Sequence, residues 1–323
     1  MNYFHDIKNF SRSKFIEVDF RIFFYLEKTP VDIYHVSPPN EIVKKKNDTL
    51  EKEFFINLIK NNQTKLLVDK HLRHLINERI FNEITTLGRK ISQFNPIEFS
   101  KRIIHFIFVQ HSEIQLTPLN EKLINNQITS FKIWLTFLKK LTPNQFQQTI
   151  KYIHQLPNGK ENKKALVGAT LLYYLSNSES IFTEHYCFNL ALSGFFCEIG
   201  TSLFSKEQKQ KSAITNAKVF KYSGLILSLK TDLPDKNINI LNASSEILSE
   251  KKNDILFGQE TYYFLASYII CENIFPKKTF SIKKELTEIK DMLPNGFKNE
   301  FRKMITWSQE FFGWEQLPDQ ITQ

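Results

Sequence analysis

From Phe188 to Thr201 the sequence reads FNLALSGFFCEIGT. Apolar side chains recur in this stretch at the spacing of one helix face, at Phe188, Ala191, Leu192 and Phe195. A second face with the same spacing precedes it, formed by Leu166, Ala169, Leu172 and Tyr173. The two stretches therefore predict two helices of an all-helical domain, each with one apolar face.

The helical pattern extends over most of the chain. From Asn95-Pro96 onward the alternation typical of strands disappears, and segments with helical spacing follow one another. Prolines, which end helices, separate these segments at Pro118, Pro143, Pro157, Pro234 and Pro276. We therefore predict that residues 96–323 form an all-helical domain.

Residues 1–92 have a different character. Alternating residues predict strands at 17–22 and 32–36, and a turn signal at 37–40 predicts that 41–46 returns as a hairpin partner. Residues 50–59 have helical spacing, 65–68 resemble another strand, and Asp69 is placed to cap the next helix. We predict a small α+β module here, so that the whole chain is mainly α.

Composition narrows the classes of function. The chain has 323 residues, of which 41% are hydrophobic and 24% charged, so a disordered, collagen-like or rod-shaped protein is excluded. The formal net charge is +9, but the lysines are scattered and their runs at 44–46 and 206–211 are not interleaved with aromatic residues. Binding to nucleic acid is therefore not expected.

Three features predict a cytoplasmic location. The N-terminus lacks the basic and then apolar pattern of a secretory signal, and the longest apolar run, 262–271, is too short to span a membrane. The three cysteines, Cys187, Cys197 and Cys271, form no C-x-x-C pair, which is typical of free thiols in a reducing compartment.

Common catalytic and cofactor-binding motifs are absent from the sequence. Neither glycine-rich phosphate loop occurs, and neither G-x-S-x-G nor H-E-x-x-H is found. His71 and His74 share a helical spacing, but two histidines in a basic, surface-like helix make a poor metal site.

Four segments between about 160 and 280 resemble the HD-GYP family of bacterial cyclic di-GMP phosphodiesterases. CEIGT at 197–201 lies where the family has H-D-I-G-K, and KVFKYSGLIL at 218–227 resembles its H-P-x-x-G-x-x-I-L helix. Residues 233–246 and 264–275 resemble the next two helices in order and spacing. The pattern at 31–34, 42–44 and 65–68 is similar to a module that precedes some HD-GYP domains. The resemblance implies a helical HD-GYP-like domain behind an N-terminal α+β module.

The resemblance also implies where a catalytic site would lie. Active members hold two or three metal ions through histidines and aspartates, which activate a water against the phosphodiester. Carried over one by one, these positions fall on Lys163, Cys197, Glu198, Phe220, Ser244, Ser245 and Ile270, with Thr201 in place of the catalytic lysine and Glu246 retained. Residues 247–258, where the G-Y-P loop should follow, contain neither Tyr nor Pro.

These replacements predict a domain without metal, cofactor or catalytic residue. The last histidine is His185, so residues 186–323 cannot supply the family's histidine ligands. We expect Cys197, Phe220 and Ile270 to pack in the core, and Ser244 and Ser245 either to end or kink a helix or to bond its backbone. If Glu198 is buried, Lys163 is the partner that the carried-over geometry suggests.

The preferred hypothesis is a catalytically inactive HD-GYP-like signalling protein. It would bind a partner protein in cyclic di-GMP signalling, or a cyclic dinucleotide, without cleaving it. One alternative is the HDOD type, a related non-catalytic helical module, although the N-terminal pattern favours the HD-GYP lineage. The other is an enzyme with an unrecognised site, in the N-terminal module or at the domain junction.

Overall fold

Four short strands near the N-terminus form an antiparallel sheet in the order β1-β4-β2-β3. They are β1 Phe15–Asp19, β2 Ile33–Tyr34, β3 Ile42–Lys44 and β4 Lys65–Asp69. The structure is a computed structural model that describes residues 14–36, 41–90, 92, 95–155, 159–177, 183–204, 215–233, 235–249, 258–271, 279–280, 301–308 and 315–316. The sheet confirms the predicted hairpin of 32–36 with 41–46, whereas the predicted turn at 37–40 lies outside the described residues.

The first strand is shorter than predicted. It ends at Asp19, whose carboxylate accepts a hydrogen bond from the Arg21 backbone nitrogen at 2.9 Å and so caps the 3-10 helix Phe20–Phe23. The alternation at 17–22 therefore spans two kinds of structure, because apolar residues of the 3-10 turn continue the buried face of β1.

Ten α-helices account for most of the described residues. They are α1 Lys52–Lys60, α2 Arg73–Arg89, α3 Pro96–Leu116, α4 Glu121–Leu138, α5 Pro143–Gln155, α6 Gly159–Asn177, α7 Glu184–Phe196, α8 Asn216–Lys230, α9 Asp235–Leu248 and α10 Gln259–Ile269. Residues 301–308 are also helical. This order confirms the predicted fold class, a small α+β module followed by helices.

Helix starts follow the expected capping chemistry. Asp69 accepts from the His71 backbone nitrogen at 2.9 Å and caps the 3-10 turn that leads into α2, as predicted. Asn95 caps α3 by accepting from Ile97 N at 2.9 Å, and Pro96 stands in the first turn, where its missing N–H costs nothing.

The prediction of an all-helical second part is wrong in one detail. Strands β5 Thr279–Phe280 and β6 Glu315–Gln316 form a two-residue parallel ladder. Two paired residues on each side are too few to produce a period in the sequence, so this ladder had no pattern by which to be found.

The chain divides into two compact units. The first consists of Met1–Thr117 and Lys122–Trp134, and the second of Pro118–Glu121 and Leu135–Gln323. Helix α3 therefore belongs to the same unit as the sheet. The domain boundary between 92 and 96 stays a prediction, because compactness alone does not define a segment that folds independently.

Two buried titratable groups stand out in the first unit. Arg73 of α2 donates from Nε to Glu113 Oε2 of α3 at 2.6 Å. Burial raises the pKa of Glu113 and the Arg73 charge opposes that rise. Burial also lowers the pKa of His105, which is 3% exposed, to about 4.

Among the described helices, none combines the length and the hydropathy that crossing a bilayer requires.

Candidate functional site

The stretch 197–201 lies at the end of a buried helix. Thr183 caps α7 by accepting from Tyr186 N at 3.3 Å, and the helix ends at Phe196. The chain then tightens into the 3-10 helix Ile199–Leu203, in which Thr201 N donates to the Glu198 carbonyl at 2.9 Å. Cys197 and Glu198, which the resemblance aligns with the family's His-Asp pair, thus lie in the turn between α7 and this 3-10 helix.

This 3-10 helix lies directly against α8. Gly200 N donates to Ser223 Oγ at 2.8 Å, and Ser223 Oγ lies 2.7 Å from the Cys197 carbonyl, to which it can donate. A Cβ on Gly200 would lie only 2.4 Å from the Val219 carbonyl oxygen, so the two backbones approach too closely for any side chain. The close approach of the two backbones therefore explains why Gly200, which matches the glycine of the family pattern, carries no side chain.

Phe220 belongs to an aromatic cluster. Its ring makes edge contacts with Phe264 at 5.3 Å and with Tyr268 at 4.8 Å between centroids, and it is fully buried. Cys197 and Ile270 are also buried, with at most 1% of their surface exposed. The expected packing of these three side chains is what the structure contains, whereas their descent from metal-ligand positions stays a prediction.

The two serines lie on α9 between α8 and α7. Ser244 is fully buried and its Oγ donates to the Ile240 carbonyl, one turn earlier, at 2.7 Å. The Ser245 carbonyl accepts from Ser249 Oγ at 2.7 Å near the helix end. Glu246, at which this chain retains the acidic residue of the family pattern, is exposed.

Glu198 is buried, with 7% of its surface exposed. Lys163 lies in α6, but its side chain is outside the described residues. The predicted ion pair between these two residues therefore stays a prediction.

The residues at these positions do not fit the metal centre that the family uses. Phe220 and Ile270 have no side-chain donor atom, and the Ser244 hydroxyl bonds its own helix. Within the described part of the chain, no three His, Cys, Asp or Glu side chains come together in a way that could hold a metal ion. Cys197 and Glu198 alone would give two ligands, whereas a stable site needs about four.

A buried polar network joins α7 to α9, and sequence reasoning missed it. Asn237 Nδ2 donates to the Asn189 carbonyl at 2.8 Å and approaches Ser193 Oγ at 3.2 Å. The Ser193 hydroxyl in turn donates to Asn189 O at 2.9 Å. The only signal would have been polar residues on an otherwise apolar helix face, since the amide partner lies far along the chain.

Tyr186 and Glu260 form a second polar contact, between α7 and α10. The Tyr186 hydroxyl donates to Glu260 Oε2 at 3.0 Å, and Lys236 of α9 lies over the ring with Nζ 5.0 Å from its centroid. Burial raises the pKa of Tyr186, and the Glu260 charge raises it further. A phenol held in this way remains protonated and serves as a hydrogen-bond donor.

A groove of about 610 Å³ opens on the surface between α8 and α9. Among the residues that line it are Phe204, Lys218, Lys221, Tyr222, Leu225 and Asn242. Gly224 of α8 faces the Asn242 side chain of α9, since a Cβ on Gly224 would lie 2.8 Å from Asn242 Oδ1, the movable end of that side chain. The sign of this groove in the sequence is that apolar residues occupy both faces of α8.

Comparison with known proteins gives one structural likeness. No protein-family model matches the sequence, and no curated protein matches it. The structure is similar to that of Bd1817, a HDG"Y"P protein from Bdellovibrio bacteriovorus, with a TM-score of 0.58 at 10% identity. The likeness covers 90% of this chain and 99% of that chain. At this identity the comparison shows the fold alone. The chain has an HD-GYP-like fold, with a small antiparallel sheet followed by a helical domain.

Proposed function

We propose that this protein is a catalytically inactive, HD-GYP-like signalling protein that acts by binding a partner protein. The observation that carries the proposal is the aromatic packing of Phe220 on Phe264 and Tyr268, where the family places a metal-ligating histidine. A phenylalanine ring enclosed by two others cannot move aside for a metal ion without opening a cavity in the core.

The surrounding positions support the same proposal. Each change from histidine or aspartate to an apolar residue removes a ligand and fills the space that it occupied, as with Ile270. A polar metal cavity left without its ion would cost about 1–3 kcal/mol for each unsatisfied buried group. Filling it with packed side chains avoids that cost and makes a return to metal binding unfavourable.

The signalling context is taken from the resemblance and from the structural neighbour, which is a HDG"Y"P protein. An inactive relative of a phosphodiesterase keeps a folded surface, and such a surface can bind another protein of the same pathway. The four-stranded sheet, whose strands lie between residues 15 and 69 and precede most of the helices in sequence, favours the HD-GYP type over the HDOD type, which shares only the helical core.

The test is an assay for phosphodiester hydrolysis combined with metal analysis. The purified chain should hydrolyse neither cyclic di-GMP nor bis-p-nitrophenyl phosphate with Mn²⁺ or Fe²⁺ added. Elemental analysis of protein prepared without chelator should find no near-stoichiometric transition metal. EDTA should leave the melting temperature unchanged, because metal-binding free energy does not contribute to the stability.

The opposite result is equally clear. Turnover that is lost in Glu198→Ala would overturn the proposal, as would bound iron, manganese or zinc that EDTA removes with a large drop in melting temperature. The double variant Cys197→His/Glu198→Asp serves as the matched control. It should stay inactive, because the ligand positions at Phe220, Ser244 and Ile270 remain filled.

A further inference from the structure

The groove between α8 and α9 adjoins a cluster of exposed apolar side chains. Leu203, Tyr222, Leu225 and Leu229 are 41%, 38%, 47% and 64% exposed. They are four of the nine large apolar side chains that are exposed in the described part of the chain. Such clustering is typical of an interaction surface, whereas single exposed apolar residues are common on any protein.

The spacing along α8 defines the shape of this surface. Tyr222, Leu225 and Leu229 stand at i, i+3 and i+7, so they form one stripe along the helix. The stripe is about 10 Å long at 1.5 Å per residue, which equals two turns of a helix laid beside it. Phe204 contacts Tyr222 edge-on, with centroids 5.2 Å apart, and so provides a firm wall at one end.

The two charged side chains that line the groove are both basic. Lys218 and Lys221 line it, and none of the described residues that line it is acidic. The polar lining groups, among them Ser228 and the Asn242 amide, are neutral. A partner with carboxylates beside apolar anchors would complement both features of the surface.

The charge also separates the candidate occupants. Two copies of this chain joined through the groove would bring four lysines into one interface, with no carboxylate among the described lining residues to balance them, which is unfavourable. A lipid surface would need a broader apolar face than three side chains on two helical turns, and more basic residues for lasting attachment. A short acidic helix needs a narrow apolar stripe with basic side chains beside it, and the groove provides both.

We infer that the groove between α8 and α9 is the docking site for an acidic amphipathic helix of a partner protein. Two or three apolar residues of that helix, spaced i, i+3 or i+4 and i+7, pack on Tyr222, Leu225 and Leu229. Its Asp or Glu side chains face Lys218 and Lys221. This inference rests on the proposed function, because it names the partner chemistry for the binding that we propose.

The experiment is a selection that reads out the charge preferred by the groove. A displayed library of 15-residue helices keeps apolar residues at the docking spacing and randomises the other positions among Glu, Lys, Gln and Ala. Selection on the purified full chain should enrich Glu at positions that flank the apolar stripe. Selection on the double variant Lys218→Glu/Lys221→Glu should lose that preference.

Binding measurements on an enriched peptide then locate the site. Leu225→Ala and Lys221→Glu should each weaken binding at least fivefold, and the double lysine variant at least twentyfold. Raising the salt from low to 0.5 M should weaken binding several-fold, because exposed charges are screened. Lys151→Glu, an exposed lysine of α5 in the same unit, is the matched control and should change the affinity less than twofold.

Several results would overturn the inference. These are enrichment of basic or uncharged peptides, no enrichment at all, and an enriched peptide whose affinity the groove variants do not change. Dimerisation that Leu225→Ala abolishes would identify a second copy as the occupant, and binding to anionic vesicles through the same lysines would identify a membrane. Phosphodiesterase activity would overturn the proposed function alone, since peptide binding is measured without substrate.

Discussion

The backbone nitrogen of Gly200 donates a hydrogen bond to the hydroxyl of Ser223 at 2.8 Å. This contact attaches the 3-10 helix Ile199–Leu203 to α8, and it requires that Gly200 carry no side chain. Ser223 is fully buried and also reaches the Cys197 carbonyl at 2.7 Å, so a single hydroxyl joins the end of α7 to the next helix. Gly200 therefore serves the architecture, independently of any chemistry at its neighbours.

The Gly200→Ala variant should be destabilised by about 1–3 kcal/mol, the usual cost of forcing a group into a filled space. The added Cβ would meet the Val219 carbonyl at 2.4 Å and Ser223 N at 2.7 Å, and both are backbone atoms that cannot turn away. Urea denaturation followed by circular dichroism measures the loss.

The control is Gly88→Ala within α2, for which the three nearest atoms to the new Cβ all belong to the Ile133 side chain, the nearest at 3.0 Å, so that a small shift of this side chain makes room. It should cost clearly less than Gly200→Ala. Equal losses in the two variants would show that the close approach of the two backbones is not the cause.

Phe220→Ala should destabilise the protein by about 3–5 kcal/mol, because it leaves a cavity beside Phe264 and Tyr268. Phe220→Leu keeps part of the volume and should cost less than half as much. Lys221→Ala, one residue away and exposed, should stay within about 0.5 kcal/mol of the parent. A loss below about 1 kcal/mol for Phe220→Ala would mean that the ring does not fill the core as the structure describes.

Glu113→Ala should destabilise the first unit by about 3–5 kcal/mol, since it leaves the buried Arg73 charge without its carboxylate. The double variant Arg73→Met/Glu113→Leu should recover most of the loss, because two apolar side chains of similar size need no charge compensation. Thermal unfolding of the single and double variants checks this. If the double variant is as unstable as Glu113→Ala, the two side chains contribute through separate contacts.

The sequence predicted the secondary structure well where many residues share a period. Helices such as α7 and the pairing of β2 with β3 followed from repeated spacing and turn chemistry. The ladder of β5 with β6 did not, because two residues carry no period. The network of Asn237 with Asn189 is likewise invisible, since its partners meet only after the helices pack.

The candidate site shows the same limit. The resemblance placed Cys197, Phe220 and Ser244 on three helices, and burial at all three positions agrees with packing. The groove was missed because Tyr222, Leu225 and Leu229 look in sequence like ordinary core positions of α8. Only the folded structure tells which of the two apolar faces is covered.

The last prediction concerns pH. The His105 ring contacts the rings of Phe24 and Tyr25, and burial lowers the pKa of His105 from 6.5 to about 4. The Arg21 charge lowers it too, whereas a backbone hydrogen bond at Arg21 and the Asp19 charge act against the fall. The folded protein therefore resists protonation of this ring, but the unfolded chain does not.

Above pH 6.5 His105 is neutral in both the folded and the unfolded chain, and its contribution to the free energy of unfolding is complete. As the pH falls from 6.5 towards 4, that contribution is lost, because the unfolded chain binds a proton at His105 and the folded protein does not. The loss should reach about 3 kcal/mol, at up to about 1.4 kcal/mol per pH unit. Urea denaturation of the parent and of His105→Leu at intervals of half a pH unit measures it. The variant should have a flatter profile in this window, and His71→Gln, which removes an exposed histidine, should follow the parent. Because carboxylates titrate in the same range, the difference between the profiles is the quantity that decides, and parallel profiles for the parent and His105→Leu would show that His105 does not carry the effect.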